Sequence, residues 1–143
     1  MFGYTFRIYR RRARPARRTR VKKSRPEYLS KKEHARVVIV ERLNFFAGEY
    51  TKIDPALAEP MRFKRVAVRD QSSRWGSCSA KKNLNFNFRL FDLPVHLRDY
   101  VIVHELCHLK ELHHGPAFWT LVEKILPDAK KLQIELRKIH IHR

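Results

Sequence analysis

Two histidines four residues apart, with a glutamate directly after the first, lie within the apolar run Tyr100-Val101-Ile102-Val103-His104-Glu105-Leu106-Cys107-His108. No other stretch of the chain restricts the fold as strongly. In an α-helix, positions i and i+4 stand one turn apart on one face. That face offers two imidazole nitrogens to a single Zn²⁺, which takes nitrogen ligands at about 2.0–2.1 Å. Glu105 then stands where a zinc-bound water needs a general base. A carboxylate and two imidazoles in a buried helix are costly unless something satisfies them, and a metal ion does so. With eight His and nine Glu in 143 residues, chance gives roughly 0.03 such matches.

The chain is the length of one domain, and its 43% hydrophobic content supports a modest core. No apolar stretch is long enough to span a membrane. The beginning, Met1 to Phe6, is too short and too soon interrupted by Arg7 to be the core of a signal peptide. Cys78 and Cys107 are the only cysteines. They make no disulfide framework, and a reducing cytoplasm is the expected location.

The net charge of +18 is unevenly distributed. Residues 1–26 hold eleven Lys and Arg and no acidic residue. They are expected to form a basic, flexible arm ahead of a domain over residues 27–143. Arg10, Arg11, Arg12, Arg17 and Arg18 are its candidate contacts to nucleic acid or another polyanion, bound with release of counterions. Phe2, Tyr4, Phe6 and Tyr9 alternate as in a short edge strand.

Ser30 to Glu33 has the pattern of a capping box. Ala35, Val38, Ile39, Leu43 and Phe46 follow at helical spacing, which predicts about five turns ending near Gly48. Phe63–Asp70 reads as a strand, Gln71–Lys82 as a loop, and Leu84, Phe86, Phe88 and Leu90 as one side of a second strand, antiparallel to the first. Pro94 opens the helix carrying the histidines, and Pro116 and Pro127 open two more. The predicted fold is α+β: a small antiparallel sheet packed on the N-terminal helix and the motif helix, followed by C-terminal helices.

Two histidines do not complete a metal site. His114, His113 and Glu123 are the candidates for a third ligand. A continuing helix would swing His114 about 240° past His108, so the helix must break between Leu109 and His114. Gly115-Pro116 supplies a breaker, and His114 is the expected ligand. Its neighbour His113 is expected in solvent, because adjacent side chains in a turn point apart. Glu123 and Glu111 are expected as exposed helix carboxylates.

Asn87 and Arg89, on the polar face of the second strand, are candidates to meet a substrate carbonyl, with a substrate backbone pairing along that strand or its neighbour. Tyr100, one turn before His104, is a candidate oxyanion donor. Gly76 is expected to allow unusual dihedral angles in a tight loop, and Trp75, Phe118 and Trp119 are expected to pack in the core. Cys78 is a thiol with potential reach to the metal.

Ser73-Arg74-Trp75-Gly76-Ser77-Cys78-Ser79, Asn87-Phe88-Arg89-Leu90, the motif helix and His114-Gly115-Pro116-Ala117-Phe118-Trp119 follow one another in order. The series resembles the YgjP-like metallopeptidase family and, more distantly, the SprT-like proteases. The resemblance covers about residues 33–137. It implies a zincin-like fold and one catalytic Zn²⁺ per chain, held by His104, His108 and His114, with Glu105 as the catalytic carboxylate. It also implies a peptide or protein substrate hydrolysed by a Glu-activated zinc-bound water. His113 departs from the family pattern, which usually has Asn there. The arm stands where longer members carry a strand-rich segment, and it could tether the enzyme to nucleic acid or ribosomes. The rival expectation is a nucleic-acid-associated protein whose zinc is structural or vestigial.

Overall fold

The computed structural model describes residues 4–5 and 25–141. Most of the basic arm, with Arg10, Arg11, Arg12, Arg17 and Arg18, therefore lies outside the described residues. The elements are β1 (Tyr4–Thr5), α1 (Arg25–Ile53), a 3₁₀ turn (Pro55–Leu57), β2 (Arg65–Arg69), β3 (Gly76–Cys78) and β4 (Asn83–Asn87). A second 3₁₀ turn (Phe88–Asp92), α2 (Val95–Cys107), α3 (Pro116–Ile125) and α4 (Ala129–Lys138) complete them. This is the expected α+β architecture. Among the described residues no helix is long and apolar enough to cross a membrane.

The helix α1 extends beyond its expected limits at both ends. Ser30 lies inside it, and Glu33 bonds Arg36 instead of reaching back to a cap. The helix passes Gly48 because tertiary packing continues past it. Ala35, Ile39, Leu43, Phe46 and Tyr50 form one buried stripe. The Tyr50 hydroxyl donates to the Leu121 carbonyl at 2.8 Å and lies 3.1 Å from the Cys107 sulfur, joining α1 to α2 and α3. Arg42 grips Asp99 of α2 through two bonds of 3.1 and 2.8 Å.

The sheet is mixed rather than antiparallel, with strand order β1-β3-β4-β2. β3 forms inside the segment expected to be a loop. It pairs antiparallel with β4 (Gly76↔Phe86, Cys78↔Leu84), so β4 returns in the direction of β2 and pairs parallel to it (Val66↔Leu84, Val68↔Phe86). β1 lies antiparallel on the outer edge of β3, with Tyr4 opposite Cys78. The β3–β4 turn uses Lys82 at φ 63°, a left-handed position.

The second strand ends at Asn87 rather than Leu90. Asn87 caps the following 3₁₀ turn by accepting the Arg89 backbone N–H at 3.1 Å. Its amide also donates to the carbonyls of Gln71 (2.8 Å) and Arg74 (3.0 Å). This clamp secures the loop that carries the chain from β2 across to β3. Val66, Val68, Leu84, Phe86 and Cys78 form the buried face of the sheet, against which α1 and α2 pack.

Candidate metal centre

In α2, every residue from Tyr100 to Cys107 is buried. The spacing of four places His104 and His108 on one face, as expected, and the helix ends with His108 as its C-cap. Backbone bonds from Lys110 and Glu111 to the Cys107 carbonyl close the last turn. The chain then reverses, and Pro116 begins α3. The reversal brings His114 back over the end of α2. The Nε2 atoms of the three histidines stand 3.1 Å (104–108), 3.0 Å (108–114) and 3.0 Å (104–114) apart.

This triangle suits a cation. A tetrahedral Zn²⁺ sets its nitrogen ligands roughly 3.3 Å apart, so little expansion is needed. The His108 Nδ1 lies 2.9 Å from the Glu111 carbonyl, which can only accept; Nδ1 therefore carries the proton, and Nε2 presents a lone pair to the centre. His104 Nδ1 lies 3.4 Å from the Tyr100 hydroxyl. Burial is the main cause holding all three imidazoles below the ordinary histidine range, His108 at about 4. Repulsion from neighbouring imidazoles adds to it, at His104 from both other rings of the cluster and at His114 from His113. Neutral imidazole is the form that binds metal. The edge of the cluster formed by His114 is exposed.

Glu105 projects to another side of α2 and is fully buried. Neither of its carboxylate oxygens has a hydrogen-bond partner among the described residues. Burial drives its pKa well above the ordinary carboxylate range, against the opposing charge of Arg74. β3 runs directly over this side chain: a Cβ placed on Gly76 would come within 2.8 Å of Glu105 Cγ and 3.0 Å of Oε1. The expected dihedral role of Gly76 is therefore corrected. No described glycine has positive φ, and what requires glycine is the close approach of the strand to Glu105.

Two residues that pack the site differ from expectation in importance. Phe118, assigned only to the core, touches all three imidazoles, with ring centroids 4.9, 4.6 and 4.9 Å from His104, His108 and His114. It stacks on His108 at 23° and forms the floor of the cluster. Its place shortly after His114 in the His-Gly-Pro-Ala-Phe-Trp run was the available signal. Arg74, treated as part of a structural loop, is the positive charge nearest in effect to Glu105.

Other expected site residues are placed elsewhere. The side-chain groups of Asn87 are spent on the loop and the cap, so the expected substrate contact is replaced by the clamp described above. Arg89 is buried, paired with Asp70 and laid over the Phe88 ring at 4.5 Å. Tyr100 is fully buried with its hydroxyl toward His104, a position that orients an imidazole. His113 is exposed outside the cluster, and Glu123 faces Lys130 at 3.9 Å. Cys78 is buried; that burial is the main cause raising its thiol to about 12, and its sulfur is not part of the cluster. Of the strands expected to receive a substrate backbone, β4 is interior and β3 is its neighbour. The strand against α2 is β3, whose outer edge holds β1.

Three convergent imidazoles, followed in sequence after the first by a buried carboxylate with no hydrogen-bond partner among the described residues, suit a metal-dependent hydrolase. Comparison with known proteins gives the family. The model of the YgjP-like metallopeptidase domain matches residues 7–139, and the chain belongs to that family. Its substrates are accordingly proteins or peptides. A similar solved structure is the metallopeptidase zymogen of Pyrococcus abyssi abylysin, at 22% identity and TM-score 0.49, covering 77% of this chain and 91% of that one. No curated protein matches the chain.

Proposed function

We propose that this protein is a zinc peptidase in which His104, His108 and His114 hold the metal and Glu105 handles the protons. The observation that carries the proposal is the convergence of three Nε2 atoms on a helix that also carries a buried carboxylate with no hydrogen-bond partner among the described residues. The donor set suits zinc, since three nitrogen ligands leave a fourth position for water or substrate, as catalytic sites do and closed structural sites do not. When bound, the metal supplies Lewis acidity, polarising the scissile carbonyl and acidifying water.

Glu105 accepts the proton of the attacking water and passes it to the departing amine nitrogen. A raised pKa suits both halves of that task, because the group must hold the proton between the two transfers. Tyr100 and the Glu111 carbonyl keep the first two imidazoles oriented, and Phe118 limits the movement of all three. An extended substrate backbone adds along the edge of β3, the strand beside Glu105, by displacing β1. The free, buried thiols of Cys78 and Cys107 support a reducing cytoplasm as its location.

The test is Glu105→Gln, assayed on an unfolded protein substrate with metal content measured in parallel. Full metal occupancy with turnover reduced by about 10²–10⁴-fold is expected. Normal cleavage by this variant would exclude Glu105 as the base. The rival nucleic-acid-associated role with a vestigial zinc predicts no cleavage by either form.

A further inference from the structure

The sheet face turned away from α1 and α2 carries an unexplained set of polar side chains. Arg65, Ala67 and Arg69 of β2 stand in register with Asn83, Asn85 and Asn87 of β4. Arg65, Ala67, Arg69, Ser79, Asn83 and Asn85 line a shallow depression of ≈ 190 Å³. Asn87 is accounted for by its clamp, whereas Asn83 and Asn85 are half-buried and their side chains bond nothing among the described residues. Asparagine is a poor strand former, and strand propensity does not account for two of them in one short strand. Arg65 and Arg69 are exposed and make no ion pair among the described residues. The nearest carboxylate in sequence, Asp70, is committed to Arg89. No acidic residue lines the depression.

We infer that this face binds the phosphodiester backbone of single-stranded nucleic acid. Guanidinium forks recognise phosphate oxygens in a bidentate manner, and carboxamides add neutral donors. The two arginines are four residues apart on one strand, about 13 Å along it. That distance exceeds the spacing of neighbouring phosphates, whose axial rise is about 3.4 Å per strand in a stacked helix, so the lining matches a polymer better than a single ion. The lining holds no aromatic ring for a base to stack on, so recognition is of the backbone and independent of sequence. A chain of net charge +18 supplies the long-range attraction. The face is separate from the histidine cluster, and the inference does not depend on the peptidase reading.

The experiment is fluorescence anisotropy of a labelled mixed-sequence 20-nucleotide single strand with the full chain across a salt series. Wild type is compared with Arg65→Gln/Arg69→Gln and with Asn85→Asp, which places a carboxylate in the depression. Both variants are checked for unchanged thermal transition and metal content. The expected results are about tenfold weaker binding at low salt for each variant, and a salt slope reduced by about 1.4 for the double variant, at ~0.7 per lost single-strand phosphate contact. An unchanged affinity and slope in both would overturn the proposal. So would binding lost only on Arg10→Gln/Arg11→Gln/Arg12→Gln, which would assign the contact to the arm. Displacement of the strand by millimolar inorganic phosphate at constant ionic strength would also overturn it, since it would reduce the depression to a site for a single ion.

Discussion

The two faces of the sheet follow different rules. On the inner face, Val66, Val68, Cys78, Leu84 and Phe86 are buried, and Gly76 leaves room for Glu105. Each residue there is explained by a neighbour it touches. On the outer face, Asn87 is explained in that way and Ser79 accepts the Asn83 N–H at 3.3 Å, but the side chains of Arg65, Arg69, Asn83 and Asn85 make no bond among the described residues. One face is therefore specified by packing around the Glu105 carboxylate, whereas the side chains of the other are left without such a constraint among the described residues. Within a single β-strand, alternate residues of β4 fall on these two faces.

The largest effect should come from the inner face. In Gly76→Ala the new methyl group meets Glu105 at less than van der Waals distance, and β3 is held between β1 and β4 and cannot easily withdraw. Turnover should fall at least tenfold with metal content unchanged, and chemical denaturation should show a loss of about 1–3 kcal/mol, the usual cost of overpacking. Wild-type activity in this variant would show that the approach of β3 to Glu105 is incidental.

Asn87→Ala should rank next. It removes three hydrogen bonds that hold the β2–β3 crossing and cap the 3₁₀ turn. Two part-buried carbonyls lose a donor and the buried Arg89 N–H loses its acceptor, at about 1–3 kcal/mol. Equilibrium unfolding should detect that loss. A change below the error of the measurement would mean that the loop is held by other contacts.

The smallest effect should have the opposite sign. If Asn85 serves no folding purpose, Asn85→Val should stabilise the chain by roughly 0.5–1 kcal/mol through strand propensity. Destabilisation would place Asn85 among the residues explained by packing and remove the contrast between the two faces.

Much of the site was legible locally. The four-residue spacing put His104 and His108 on one helix face, Gly115-Pro116 marked the reversal before α3, and the alternation of Leu84 and Phe86 marked an inner strand face. The misreadings share a cause. Ser30 and Gly48 are good local signals for helix ends, but burial of Ala35 through Tyr50 outweighed them. Asn87 and Arg89 looked like solvent-facing strand residues because the loop that covers Asn87 and the carboxylate that pairs with Arg89 come from some 13 to 19 positions earlier in the chain.

The order of residues by itself determined a helix with two imidazoles on one side, a glutamate on another, and a third histidine just beyond a break, because those features depend only on the pitch of a helix and the chemistry of Gly and Pro. Tertiary structure decided that His114 rather than His113 or Glu123 joins the cluster, that β4 runs parallel to β2, that Phe118 lies under all three rings, and that Gly76 makes room for Glu105. Each of these depends on which distant backbones approach one another, and that is set by the packing of the whole core rather than by any local period.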